Sequence, residues 1–175
     1  NRTLEIVVLD SQQDGIAQMT SALLNYRDID AVHVISHGGD GQVRLGATNL
    51  SLDNVDNYRS AISAWQYSMS DTADLMFYGC DLAATEDGRD LMNQIAAETH
   101  SDVAASDDLT GHESLGGDWD LEFQAGTIET QVVLSTDFQQ SWNQVLTSQL
   151  MQVRADQPPA RRASRSLTRR PVKND

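Results

Sequence analysis

"DAVHVISHGGDG" (residues 30–41) opens as an apolar run of β-branched residues and stops at a histidine followed by two glycines. Six to eight such residues bounded by turn signals read as a strand covered on both faces. Further along, "DLMFYGCDLAA" (74–84) repeats the arrangement, an apolar run ending in Gly79 and Cys80, the only cysteine of the chain. Two strands that each end at a reactive side chain flanked by glycine decide the reading of everything around them.

Working outward, "LEIVVLD" (4–10) predicts a further buried strand, and "SQQDGIAQMTSALLNY" (11–26) a helix with Ile16, Met19, Leu23 and Leu24 inward and Ser11 or Asp14 as cap. "GQVRLGATNLS" (41–51) predicts a small hairpin turning near Gly46. A second helix, capped by Ser51 or Asp53, carries Val55, Tyr58, Ile62 and Trp65 on one face; a third covers "EDGRDLMNQIAAETH" (86–100), before a short strand "SDVAAS" (101–106). Strands alternating with helices predict an α/β fold, a mostly parallel central sheet with helices on both faces. Beyond 117 the rhythm changes. "DWDLEFQAGTIETQVVL" predicts a C-terminal antiparallel hairpin turning at Ala125-Gly126, with Trp119, Leu121 and Phe123 on one face. A last amphipathic helix is expected over 135–150, capped by Ser135 or Thr136.

Charge divides the chain at the same place as composition. Residues 1–150 hold 24 acids against five bases, a net of −19, and residues 151–175 hold seven bases against two acids, a net of +5. The expected organisation is one α/β domain over 1–147 and a disordered basic tail, a linker or cloning remnant, over 148–175 with all three prolines. An acidic body repels nucleic acid and anionic membrane, so neither is an expected partner. One cysteine excludes an internal disulfide and multi-cysteine metal clusters, and the four histidines lack ligand spacing such as HExxH. No apolar run reaches the roughly 20 residues of a membrane span. No signal-peptide pattern opens the chain, which starts at Asn1 and reads as part of something longer.

In parallel sheets, ligands bind beyond the carboxyl ends of the strands, where Ser36-His37-Gly38, Gly79-Cys80 and Ser106-Asp107-Asp108 all fall. Taken alone, Cys80 is a small core residue. Paired with His37 it supplies what a thiol peptidase needs: a nucleophile, a base, and N–H donors from Gly38 and Cys80 for the oxyanion. His33 reads as a packed or hydrogen-bonded core residue, and His100 and His112 as surface residues. Asp107 and Asp108 could border the substrate groove and favour arginine or lysine before the cut, or could simply be turn residues. Asp107, Asp108, Asp118 and Asp120 could instead hold calcium, although their spacing matches no EF-hand loop. No other cofactor is expected.

"HVISHGGDG" followed by "LMFYGCDLA" resembles the caspase-like cysteine peptidase superfamily, which includes caspases, gingipains, clostripain and the self-cleaving domains of large bacterial toxins. The histidine lies 43 residues upstream of the cysteine, against roughly 50 in caspases. With "VVLDSQQDGIAQMTSALL" and "SDVAASDDLTGHESLGGDWDLE" added, residues 4–145 look like a bacterial domain found near the N-termini of very large secreted adhesins with cadherin-like or calcium-binding repeats. The resemblance implies a caspase-like three-layer sandwich, a secreted or cell-surface setting, and a His37–Cys80 dyad acting on a polypeptide, its own parent chain included. Tyr78-Gly79 before the cysteine departs from the Gln-Ala of caspases, so aspartate specificity is not implied. The alternative is a catalytically inactive module of the same fold that serves as an adhesin interaction domain. Oligomeric state is not legible.

Overall fold

The computed structural model describes residues 3–39 and 41–147. Its frame is a four-stranded sheet in the order β1 (Ile29–Ile35), β5 (Met69–Tyr78), β6 (Asp102–Ala105), β7 (Phe123–Ala125). The first three strands are parallel, with Ile35 abreast of Tyr78 and Phe77 abreast of Ala105, and β7 runs antiparallel to β6. A second, antiparallel sheet is built from β2 (Gly38–Gly39), β3 (Gln42–Leu45) and β4 (Thr48–Leu50), the last two joined at Gly46 as the hairpin reading requires. The fold is α/β with a mostly parallel central sheet.

Alternation along β5 divides the core in two, because successive side chains leave opposite faces of a strand. Leu75 and Phe77 point to the face covered by α1 (Gly15–Leu23), α2 (Val55–Ser63) and α3 (Glu86–Thr99), where Ile16, Ile62, Leu91 and Ile95 are fully buried with them. Two of these three helices are closed by side-chain caps: Asp14 accepts from Ala17 N (2.8 Å) and Thr85 from Gly88 N (3.1 Å), each worth about 1 kcal/mol. Neither Ser51 nor Asp53 caps α2; its N-cap is Asn54. Met76, Tyr78 and Cys80 face the other way, onto Trp119, Trp142 and Leu146. Three helices therefore share one face. The opposite face is covered by the chain from 119 to 146 and the short α4 (Thr136–Ser141), capped by Ser135.

Three further expectations are corrected. Residues 4–10 form no strand: Ile6 is 80% and Val8 87% exposed, so β1 is the outermost strand of the sheet. The C-terminal hairpin does not form among the described residues. Its first arm is β7, which pairs with β6, while 126–134 runs without strand pairing and drops Ile128, Val132 and Leu134 onto the second core cluster. The last helix stops at Ser141, with Trp142 already extended at φ −79°, ψ 100°. The expected basic tail from 148 onward lies outside the described residues. Among the described residues, no helix is long and apolar enough to cross a membrane.

Candidate active site

β1 and β5 end side by side. Ser36 N donates to Tyr78 O (3.0 Å), continuing the ladder one residue past the strands, and Gly38 comes to lie against the Cys80 carbonyl. Neither glycine on this rim has room for a side chain. A Cβ on Gly38 would lie 2.5 Å from a Leu82 methyl and 2.8 Å from Cys80 O, and one on Gly79 would lie 2.9 Å from Ser36 O. His37 sits between Ser36 and Gly38 with an exposed side chain, and its carbonyl accepts from Arg44 N (3.0 Å).

Immediately after Cys80 the chain turns through Asp81 in the left-handed region, φ 56°, a conformation that costs most residues about 1 kcal/mol and that aspartate tolerates better. Asp81 N donates to Asp108 O (2.7 Å) and Asp81 O accepts from Gly41 N (3.3 Å), so two other loops hold the turn. The thiol is 0% exposed and contacts the Thr110 carbonyl at 3.6 Å. Burial pushes its pKa up from the ordinary 9.0, and the negative charge of Asp81 pushes in the same direction.

What covers Cys80 is the chain's own segment 144–147. Gly38 N and Cys80 N both donate to one oxygen, the carbonyl of Leu146, at 2.9 and 3.2 Å. On its other side the segment is fixed antiparallel to 110–112: Leu146 N donates to Thr110 O (2.8 Å) and His112 N to Gln144 O (3.0 Å). Thr147 continues parallel to Gly38. The Leu146 side chain is buried in a cluster with Met76, Tyr78, Cys80, Ala104 and Trp119. Two backbone donors on one carbonyl oxygen, beside a cysteine, is the arrangement that stabilises a tetrahedral oxyanion.

Of the expected site residues, His37, Gly38 and Cys80 share this rim. Asp107 and Asp108 stand nearby in the turn after β6, exposed, and serve it through their backbone: Asp107 N donates to a Glu122 carboxylate oxygen (3.0 Å) and Asp108 N to Ser106 Oγ (3.3 Å). Neither belongs to the apolar cluster around Leu146. The Asp108 carboxyl is raised by partial burial, then by Asp118, Glu122, Asp107 and Asp81. The acids that converge at this end are Asp108, Asp118 and Glu122, with one oxygen of each within 4.8 Å of the others; the set read from sequence included Asp107 and Asp120 in place of Glu122.

His33 is half-buried, with Nδ1 3.2 Å from Tyr78 Oη and the rings stacked at 5.9 Å. Burial lowers its pKa against an opposing pull from Asp74, which fits a packed core histidine. His100 caps α3 in the left-handed region. His112 has a larger part than a surface residue: its ring bonds Ser114 N (3.1 Å) and Gln140 O (3.2 Å) while its N–H holds Gln144. Sequence reasoning missed Thr110, His112 and Leu146. Their common function is to frame one extended segment, and no local pattern announces a pairing between distant parts of the chain.

A family model described as a domain of unknown function (DUF4347) matches residues 1–146. No curated protein and no solved structure matches the chain.

Proposed function

The chain belongs to the DUF4347 family, and we propose that it is a self-processing cysteine endopeptidase that cuts its own Leu146–Thr147 bond. One observation carries the reading: Gly38 N and Cys80 N converge on the carbonyl oxygen of Leu146. In an inactive module the same bonds are ordinary backbone pairing of 144–147 along the rim; in a peptidase they ready the carbonyl before any chemistry starts.

In this mechanism His37 takes the Cys80 proton and Sγ bonds to the Leu146 carbonyl carbon. The negative charge that develops on oxygen lies between the two N–H groups. Collapse breaks the C–N bond to Thr147, whose nitrogen receives the proton from the imidazolium. Water then attacks the Leu146–Cys80 thioester, His37 accepts its proton, and Leu146 is released as a carboxylate while the thiol regains its hydrogen. Specificity in this reading is apolar, since Leu146 packs against Tyr78, Cys80 and Trp119. The preference for a basic residue at Asp107 and Asp108 has no part in it. The same proposal takes the parent chain to be a bacterial secreted or surface protein, an adhesin by resemblance, from which the cut separates the domain.

One observation favours the alternative, an inactive interaction module. Cys80 is fully buried and its thiol is pushed toward the protonated form, and a cysteine sealed in this way is ordinarily inert. The two readings part in one experiment. The chain and its Cys80→Ala and His37→Ala variants are held at pH 7 to 9.5 and followed by intact mass. Self-processing yields 1–146 and a new amino terminus at Thr147 in the parent only. An intact parent throughout, or the same products from Cys80→Ala, overturns the proposal.

A further inference from the structure

We propose a site for a calcium-sized divalent cation at the opposite end of the sheet, formed by Asp74, Asp102 and Glu129. Asp74 and Asp102 are register partners on adjacent parallel strands, β5 and β6, and Glu129 comes from the segment after β7. One carboxylate oxygen of each lies within 4.8 Å of the other two. A calcium ion binds oxygens at about 2.3–2.6 Å, so ligands on opposite sides of it stand roughly 4.6–5.2 Å apart. All three acids are therefore within the span of one ion.

Proximity of acids alone would prove nothing; the state of Asp74 is what distinguishes this cluster. Asp74 is 0% exposed. Its Oδ2 accepts from Glu129 N (3.2 Å) and Thr130 N (2.8 Å), while its Oδ1 is buried with no hydrogen-bond partner. A buried carboxylate oxygen left unpaired is costly, and two further carboxylates beside it add repulsion. Asp102 is held in the same way on one side, Oδ2 accepting from Thr127 N (3.1 Å), and its Oδ1 faces the α-carbon of Gly126 so closely that a Cβ there would lie 1.9 Å away. The segment 126–130 thus folds its backbone N–H groups around the outer oxygens of both aspartates. A hard cation supplies the partner that Asp74 lacks and removes the repulsion among the three charges. It also fastens the segment that leads into the cover over Tyr78 and Cys80. The Asp108, Asp118 and Glu122 group is exposed throughout and offers no comparable buried oxygen.

The test is calorimetric titration of the full chain with calcium chloride, and with magnesium chloride for comparison, together with thermal unfolding in each. One calcium per chain is expected at this site, with Tm rising about 3–6 °C at ten times Kd. Glu129→Gln, an exposed position that should not impair folding, is expected to weaken binding about tenfold or more through loss of one charged ligand. Asp102→Asn should do the same, and Asp118→Asn, in the other acidic group, should leave the affinity of this site unchanged. If calcium gives no heat and no Tm shift, the site is overturned. Binding that survives Glu129→Gln and Asp102→Asn but fails in Asp118→Asn overturns it equally.

Discussion

Replacing Leu146 by alanine tests the self-processing geometry where it is most exposed to failure. The side chain is 3% exposed and packs with Met76, Tyr78, Cys80 and Trp119. Truncating a buried leucine costs about 2–5 kcal/mol in a rigid core. Residues 144–147 are held by isolated bridges and not by a continuous strand, so part of that cost is relieved by relaxation, and about 2–3 kcal/mol is a reasonable share. The four backbone hydrogen bonds that align the segment do not involve the side chain. The loss therefore falls on occupancy of the groove, at 1.4 kcal/mol per factor of ten, and the first-order rate of appearance of the 1–146 fragment should drop by about 30- to 150-fold. Leu146→Arg adds an independent arm. An apolar pocket must bury a guanidinium without a partner, so cleavage should fall at least as far as in the alanine variant. Both are measured by intact mass over a time course. If Leu146→Arg is cut as fast as the parent, or faster, the Leu146 pocket is not apolar in function, and the reasoning from the cluster fails. Basic specificity through Asp107 and Asp108 would then return.

Gly38→Ala places a methyl within 2.8 Å of Cys80 O and should displace one oxyanion donor, slowing cleavage by about 100- to 1,000-fold; retained cleavage would mean that Gly38 N is not a donor to the transition state. Cleavage should quicken as pH rises, because burial first and Asp81 second hold the thiol above its ordinary value, and only the thiolate attacks. Asp81→Asn, which keeps a residue tolerant of φ 56°, should move that pH profile toward lower pH; a profile that does not move assigns the shift to burial alone. The same raised thiol makes a stability contribution that is present below the unfolded value and lost as pH climbs through the folded one. Thermal unfolding should therefore show a Tm that declines in alkaline solution, less steeply in Cys80→Ala.

Sequence reading succeeded where neighbours along the chain determine the outcome. β1 and β5 are continuous apolar runs closed by glycine, and their parallel pairing put His37, Gly38 and Cys80 on one rim. It failed where an apolar run had to find its partner elsewhere. Residues 4–8 are as β-branched as β1, yet composition states only that a segment is able to be buried; the helices of the first core face are filled without it. At the other end, helical spacing of apolar residues continues past Trp142, but the chain leaves α4 because 144–147 has better partners in 110–112 and Gly38. Those partners are distant in sequence, and the apolar residues counted toward one helix face instead line a groove. The acids illustrate the same limit: Asp74 reads as an ordinary strand-entry residue until Asp102 and Glu129 stand beside it.

The segment that fills the groove is a tethered occupant, and tethering changes what any other polypeptide must do to enter. Residues 144–147 are attached by a short chain to the very domain they dock on, so they present themselves at an effective concentration of about millimolar, independent of how dilute the protein is. An outside peptide with the same contacts would have to be supplied well above that level to displace them. Cutting the chain after Leu146 would not lift the blockade, since Gln144, Val145 and Leu146 stay on the domain's side of the bond with their hydrogen bonds to Thr110 and His112. If the proposed cut is made, the groove stays closed to competitors before and after it, and the domain would act once.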